Sequence, residues 1–128
     1  VVTGKTGPLL GAASSALLNA LKKLAGIDQE VDLVSAAAIE PIQTLKTNYL
    51  GSKNPRLHTD EILIALSGSA AANPTAALAL RQLSALKGCD MHSTVILSSV
   101  DTDTVKKLGM YLTCEPAYEE EDRKYHKQ

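Results

Sequence analysis

Four short stretches of this sequence carry side chains able to do chemistry. Gly4-Lys5-Thr6-Gly7 leads into a helix-forming segment. A turn ending in Gly-Lys-Thr before a helix is how phosphate-binding loops present backbone N–H groups and a lysine to an anion. The upstream glycine that a full loop requires would lie before Val1, and Pro8 removes one donor from the first turn. The stretch reads as an anion-binding turn through Lys5 and Thr6, or as a plain strand-to-helix turn.

The second stretch holds Arg56, His58 and Asp60 beside an expected helix start, with Thr59 as the N-cap and Asp60 and Glu61 in the first turn. A guanidinium binds carboxylate or phosphate through paired hydrogen bonds. An imidazole serves as acid or base near neutral pH, which makes His58 the candidate catalytic group. The competing expectation is a loop that caps its own helix, with Arg56 paired to Asp60 or Glu61. The third stretch is His92-Ser93-Thr94, entering a strand expected at Thr94–Leu97, and the fourth is Ser98-Ser99 with Asp101. Parallel sheets bind ligands outside the carboxyl ends of their strands. That rule favours Ser98, Ser99 and Asp101 over His92, which would sit at the amino end. Cys89, Cys114, His58 and His92 show no short metal-ligand spacing, so no metal site is assigned, and the cysteines read as buried reduced thiols.

Composition narrows the function classes. The 128 residues carry a net charge of −1, so no global electrostatic footprint points to nucleic acid or to an anionic membrane. No apolar run approaches the roughly 20 residues that span a bilayer, and no signal-peptide pattern opens the chain. Two cysteines are too few for a disulfide framework, which fits a cytoplasmic protein. The chain is 45% hydrophobic without Trp or Phe, so its core is aliphatic.

These groups need elements to hold them. Leu10, Leu17, Leu21 and Leu24 recur at helical spacing, and Gly26 supplies a stop, so a helix is expected at 8–25 with Pro8 in its first turn. Val31 to Val34 reads as a short strand. Ser35 caps a turn, Pro41 starts or kinks a second helix with Ile42, Leu45 and Tyr49 inward, and Gly51 ends it. Ile62 to Ala72 is open between strand and helix. Asn73-Pro74 starts a helix with Leu78, Leu83 and Leu86 inward, and Gly88 closes it. At the end of the chain, Thr94–Leu97, a helix that Asp101 caps and Gly109 ends, and a strand from Met110 to Cys114 make a βαβ crossover with parallel strands. The expected fold is α/β, helix-rich, with a small, mostly parallel sheet over residues 1–117 and a charged tail at 118–128. Val1-Val2-Thr3 reads as the end of a strand already under way, as in a fragment of a larger protein.

Several stretches taken together carry a resemblance. They include Gly4-Lys5-Thr6 with Leu9-Leu10-Gly11-Ala12, and Glu40-Pro41-Ile42-Gln43 with Leu45-Lys46. The run from Tyr49 through Pro55-Arg56-Leu57-His58-Thr59-Asp60 to Glu61 belongs with them, as do Lys87-Gly88-Cys89, His92 to Ser98, and Leu112-Thr113-Cys114-Glu115-Pro116. Up to about Pro116 the chain resembles the carboxyl-terminal region of a bacterial family of uncharacterised proteins, the domain of unknown function 1846. The resemblance implies a protein several times longer, with an upstream glycine-rich loop suited to nucleotides or phosphate. It implies no reaction and names no cofactor.

The expected function is one wall of a binding or catalytic cleft for a phosphorylated or other anionic small molecule. Lys5, Thr6, Arg56, Asp60, His92 and Ser98 are its candidate ligands, with His58 the candidate catalytic group. The alternative is a structural or oligomerisation domain without a site. Expected partners are a second copy of the chain or the upstream part of its own protein.

Overall fold

The computed structural model describes residues 1–118, and the charged tail from Glu119 onward lies outside the described residues. Five α-helices and a two-stranded parallel sheet are described. Helix α1 is Ala12–Ala25, α2 is Ala36–Thr44, α3 is Thr59–Ala70, α4 is Pro74–Leu80 and α5 is Ser99–Lys107. Strand β1 is Asp90–Ser93 and β2 is Tyr111–Cys114. A π turn at Leu45–Tyr49 extends α2, and a 3₁₀ turn at Arg81–Leu86 extends α4.

Helix α1 starts later than its leucine spacing predicts. Leu10 forms a parallel bridge with Leu57, and Gly11 takes extended backbone angles as the N-cap. Pro8 therefore lies in the preceding turn. Leu17, Leu18 and Leu21 face the core, but Leu24 is half exposed. Gly26 stops the helix at φ 71°, and its N–H donates back to the Lys23 carbonyl.

Residues 31–34 form no strand. Instead Lys22 donates its ammonium protons to the Gln29 and Val31 carbonyls at 2.8 and 3.1 Å, which holds this loop while Leu33 and Val34 plug the core. Ser35 caps α2 through its hydroxyl, and Pro41 lies inside that helix. Ile39 and Lys46 are buried on the inward face and Ile42 packs against the core as expected, but Leu45 and Tyr49 are 49% and 78% exposed. Beyond Pro41 the wider π turn rotates the chain, and the polar partners of Lys46 reward its inward position.

The open segment Ile62–Ala72 is resolved as the body of α3, with Ile62 and Leu66 fully buried. Its N-cap is His58, and Thr59 is the first helical residue. Asn73 and Pro74 open α4 as their types require, the asparagine carbonyl accepting from Thr75 N–H and Ala76 N–H.

The crossover has the parallel pairing its sequence predicts, but its first strand lies earlier than Thr94–Leu97. Asp90, Met91, His92 and Ser93 pair with Tyr111, Leu112, Thr113 and Cys114. The Ser93 hydroxyl accepts from Val95 N–H and donates to the Val95 carbonyl at 2.6 Å, and this local turn leads the chain away from β2 before Val95. Helix α5 joins the strands. Ser98, not Asp101, caps it, its hydroxyl accepting from Asp101 N–H. Gly109 turns the chain into β2 at φ 82°. Both cysteines are exposed rather than buried, because each lies just outside or at the end of a strand on a two-stranded sheet with little cover.

Candidate functional site

Two neighbourhoods gather the residues with chemistry. The first is a cleft of about 1020 Å³ between the amino-terminal segment, the start of α1 and strand β1. Lys5, Thr6 and His92 all line it, as do Ala12 and Ala13, the first two residues of α1. Gly4 makes this arrangement possible. A Cβ there would run into the backbone of Ala16, so only glycine lets the Gly-Lys-Thr turn lie directly on α1. Asn19 fastens the same segment by donating its side-chain amide to the Thr3 carbonyl at 2.8 Å.

The start of α1 has the polarity an anion needs. Its cap residue Gly11 has no side chain, and no carboxylate stands in the first turn. The positive end of the helix dipole therefore borders the cleft without an internal anion on its own first turn. Much of the remaining wall is apolar, including Ala16, Leu17, Met91 and Val95, and it also carries Lys23 and the carboxylate of Asp90.

The position of His92 follows from the corrected strand. In β1 it is the third of four residues, near the carboxyl end, where parallel sheets place ligands. Its Nδ1 lies 2.7 Å from the Thr113 hydroxyl on β2, and its Nε2 lies 3.5 Å from a Glu115 carboxylate oxygen.

The second neighbourhood is a polar knot at the start of α3. Glu61 Oε1 accepts from Lys46 Nζ at 2.8 Å and from His58 N–H at 2.8 Å, and it lies 3.1 Å from His58 Nδ1. Lys46 also donates to the Arg56 carbonyl at 2.6 Å. Burial works to raise the Glu61 pKa, but the bonds from His58 and Lys46 outweigh it and hold the carboxyl at about 2. The same bond from Glu61 raises the His58 pKa, against the desolvation of its ring. Thr59 closes the knot from the other side, its N–H and hydroxyl both donating to Asp101 of α5.

The candidate residues thus divide. Lys5, Thr6 and His92 border one cleft. Arg56, His58 and Asp60 are not among the described residues lining it. The Arg56 Nε donates to the Gly7 carbonyl at 2.6 Å, tying the 56–58 loop to the turn before α1. Asp60 is exposed and accepts from Glu61 N–H. Ser98 spends its hydroxyl on its own helix. Sequence reasoning passed over Lys46, which no local pattern marks, because its partners come from residues 10 and 15 positions away. The reach of Glu61 to His58 was legible, since three residues is the capping-box spacing. Among the described residues no cluster of three His, Cys, Asp or Glu is placed to hold a metal ion. No described helix is long and apolar enough to cross a membrane.

A parallel βαβ unit closing a helical domain, with a Gly-Lys-Thr turn laid on a helix start, defines an α/β domain with a cleft beside the sheet. Residues 1–124 match the family described as "Domain of unknown function DUF1846, C-terminal", and the chain belongs to that family. It is 61% identical over 119 residues to a UPF0371 protein of Corynebacterium efficiens, covering 93% of this chain and 24% of the relative. A UPF0371 protein of Corynebacterium diphtheriae is 58% identical over 119 residues, with the same two coverages. One from Streptococcus thermophilus is 48% identical over 127 residues, covering 99% of this chain and 26% of the relative. The chain therefore spans about a quarter of the length of the curated relatives it matches.

Proposed function

We propose that this domain supplies one wall of a binding or catalytic cleft for a phosphorylated or other anionic small molecule, the facing wall coming from the remainder of a longer protein. The observation that carries this reading is that Lys5, Thr6, the first residues of α1 and His92 line one cleft. Lys5 supplies the charge, the helix start supplies oriented N–H groups, and His92 supplies a group that can move a proton. The knot around Glu61 then serves the wall rather than the ligand. Arg56 and Leu57 bind the turn before α1, and Lys46, His58 and Glu61 hold the 56–58 loop in place.

Calorimetric titration of the full-length protein with inorganic phosphate, nucleotides and sugar phosphates tests the reading. At least one should bind, and Lys5→Ala should weaken it by about tenfold, the worth of one charge-assisted contact. Binding that survives Lys5→Ala unchanged, or no binding by any of them, overturns the assignment.

A second reading, a domain that serves by packing, rests on a separate observation. Leu45, Tyr49 and Leu50 lie together after Pro41 and are 49%, 78% and 71% exposed. Such a surface suits association with a second copy or with the rest of the chain. Light scattering of the Tyr49→Ser, Leu50→Ser double variant tests it. An oligomer that dissociates supports the packing role, and a wild-type monomer at high micromolar concentration removes its homo-oligomeric form.

A further inference from the structure

One face of the two-stranded sheet carries a hydroxyl, an imidazole and a carboxylate in series. His92 and Thr113 are register partners, so their side chains rise side by side from the same face. Thr113 Oγ1 lies 2.7 Å from His92 Nδ1, and Glu115 Oε2 lies 3.5 Å from His92 Nε2. Glu115 follows β2 directly, and its backbone N–H donates to the Ser93 carbonyl at 3.0 Å, so the ladder continues to the residue that bears the carboxylate. Of the two neutral tautomers, the one protonated at Nε2 puts its N–H on the side of the carboxylate. Nδ1 is then the acceptor, and the Thr113 hydroxyl is the donor. All three residues are exposed and stand at the carboxyl end of the strands.

We propose that Thr113, His92 and Glu115 form a nucleophile, base and carboxylate relay that cleaves esters. The order of roles is the one that activates hydroxyl nucleophiles on unrelated folds. Thr113 Oγ attacks the ester carbonyl carbon, and its proton passes to His92 Nδ1. The Oγ–C bond forms, the C–O bond to the alcohol breaks, and the departing alkoxide takes the proton back from His92. Water then adds to the acyl carbon with His92 again accepting the proton, the Oγ–C bond breaks, and the Thr113 alkoxide takes that proton back from His92, which leaves a carboxylic acid and free Thr113. Glu115 steadies the imidazolium in both halves. That the preferred ester carries a negative charge rests on the cleft reading above, because His92 borders that cleft. The relay itself does not rest on it.

The test is covalent labelling of the full-length protein by an alkyl fluorophosphonate, read by peptide mass spectrometry. Attack by Thr113 forms an O–P bond and expels fluoride, with the hydroxyl proton leaving through His92. The expected result is an adduct on Thr113 that persists in Thr113→Ser and disappears in Thr113→Val. His92→Gln should slow labelling on the order of a hundredfold, as loss of a general base does. Glu115→Gln should slow it less. The three positions are exposed, so melting temperatures of the variants should stay close to that of the wild type. No adduct, an adduct elsewhere, or a rate unchanged in His92→Gln overturns the relay. Phosphate titration of Thr113→Val separates the two readings. Phosphate binding that is intact in Thr113→Val shows the cleft to be independent of the relay. A wild type that binds phosphate but is never labelled leaves the cleft and removes the relay, whereas a wild type that is labelled but binds no phosphate leaves the relay and removes the anionic preference.

Discussion

Asp101, in the first turn of α5, accepts two hydrogen bonds from Thr59 at the start of α3, one from the backbone N–H and one from the hydroxyl, each at 2.8 Å. The residues are 42 positions apart, and both are buried. A helix normally satisfies its first N–H groups from its own cap residue. Here the carboxylate of the crossover helix does so, and it couples the βαβ unit to the helical layer. Asp101→Ala should cost about 2–4 kcal/mol, since it strands a buried N–H and a buried hydroxyl. Urea denaturation checks it, and a loss under about 0.5 kcal/mol would show the contact to be incidental.

Glu61 anchors three donors at once, so its removal should be among the more damaging polar changes. Glu61→Ala leaves the Lys46 ammonium, only 8% exposed, without its counter-charge. A loss of about 2–4 kcal/mol is expected, and the double change with Lys46→Met should recover part of it. If the double variant is less stable than Glu61→Ala alone, the coupling inferred between the two side chains is wrong.

The same carboxyl sets an acid limb. Its pKa falls from 4.5 to about 2 on folding, so its contribution is present above pH 4.5 and is lost as the pH drops toward 2. For a side chain a quarter exposed, solvent screening leaves about 1–2 kcal/mol. His58 runs the other way. Its pKa is raised, so its share is fully present below 6.5 and is lost as the pH climbs through the folded value. Stability measured against pH for the wild type and for His58→Ala should therefore converge on the alkaline side. Curves that stay parallel from pH 5 to pH 9 would contradict this.

Arg56→Ala should lower stability by about 1–2 kcal/mol, because its Nε bond to the Gly7 carbonyl ties two loops 49 residues apart. Any fall in ligand binding should then track the loss of stability. A variant as stable as the wild type that binds no ligand would instead return Arg56 to the site.

Gly4→Ala should displace the Gly-Lys-Thr turn, because the new methyl would enter the space of the Ala16 backbone. Proteolysis near the amino terminus should accelerate markedly, with α1 itself intact by circular dichroism. Unchanged protease resistance would show that the turn does not need this close approach.

How much was legible beforehand varies by kind of signal. The Asn73-Pro74 helix start, the glycine stops at Gly26 and Gly109, and the strand, helix and strand order at the end of the chain are local properties. A proline's missing donor, a glycine's tolerance of positive φ and a short crossover act within a few residues, so the sequence determined them by itself, parallel pairing included. The placement of β1 was not local. The apolar run from Thr94 to Leu97 looks more strand-like than Asp90–Ser93, yet the pairing partner and the Ser93 turn select the earlier residues. That slip moved His92 from the amino end of a strand toward its carboxyl end and gave it Thr113 as a neighbour. Tertiary structure also decided that Lys46 faces inward while Leu45 and Tyr49 face out, and that Thr59 takes its partner from Asp101. It brought Lys5 and Thr6 to one cleft with His92, and turned Arg56 to the Gly7 carbonyl. In each case the deciding partner is ten or more residues away or follows from a pairing register. No periodicity along the chain encodes which distant carboxylate or carbonyl a side chain will meet.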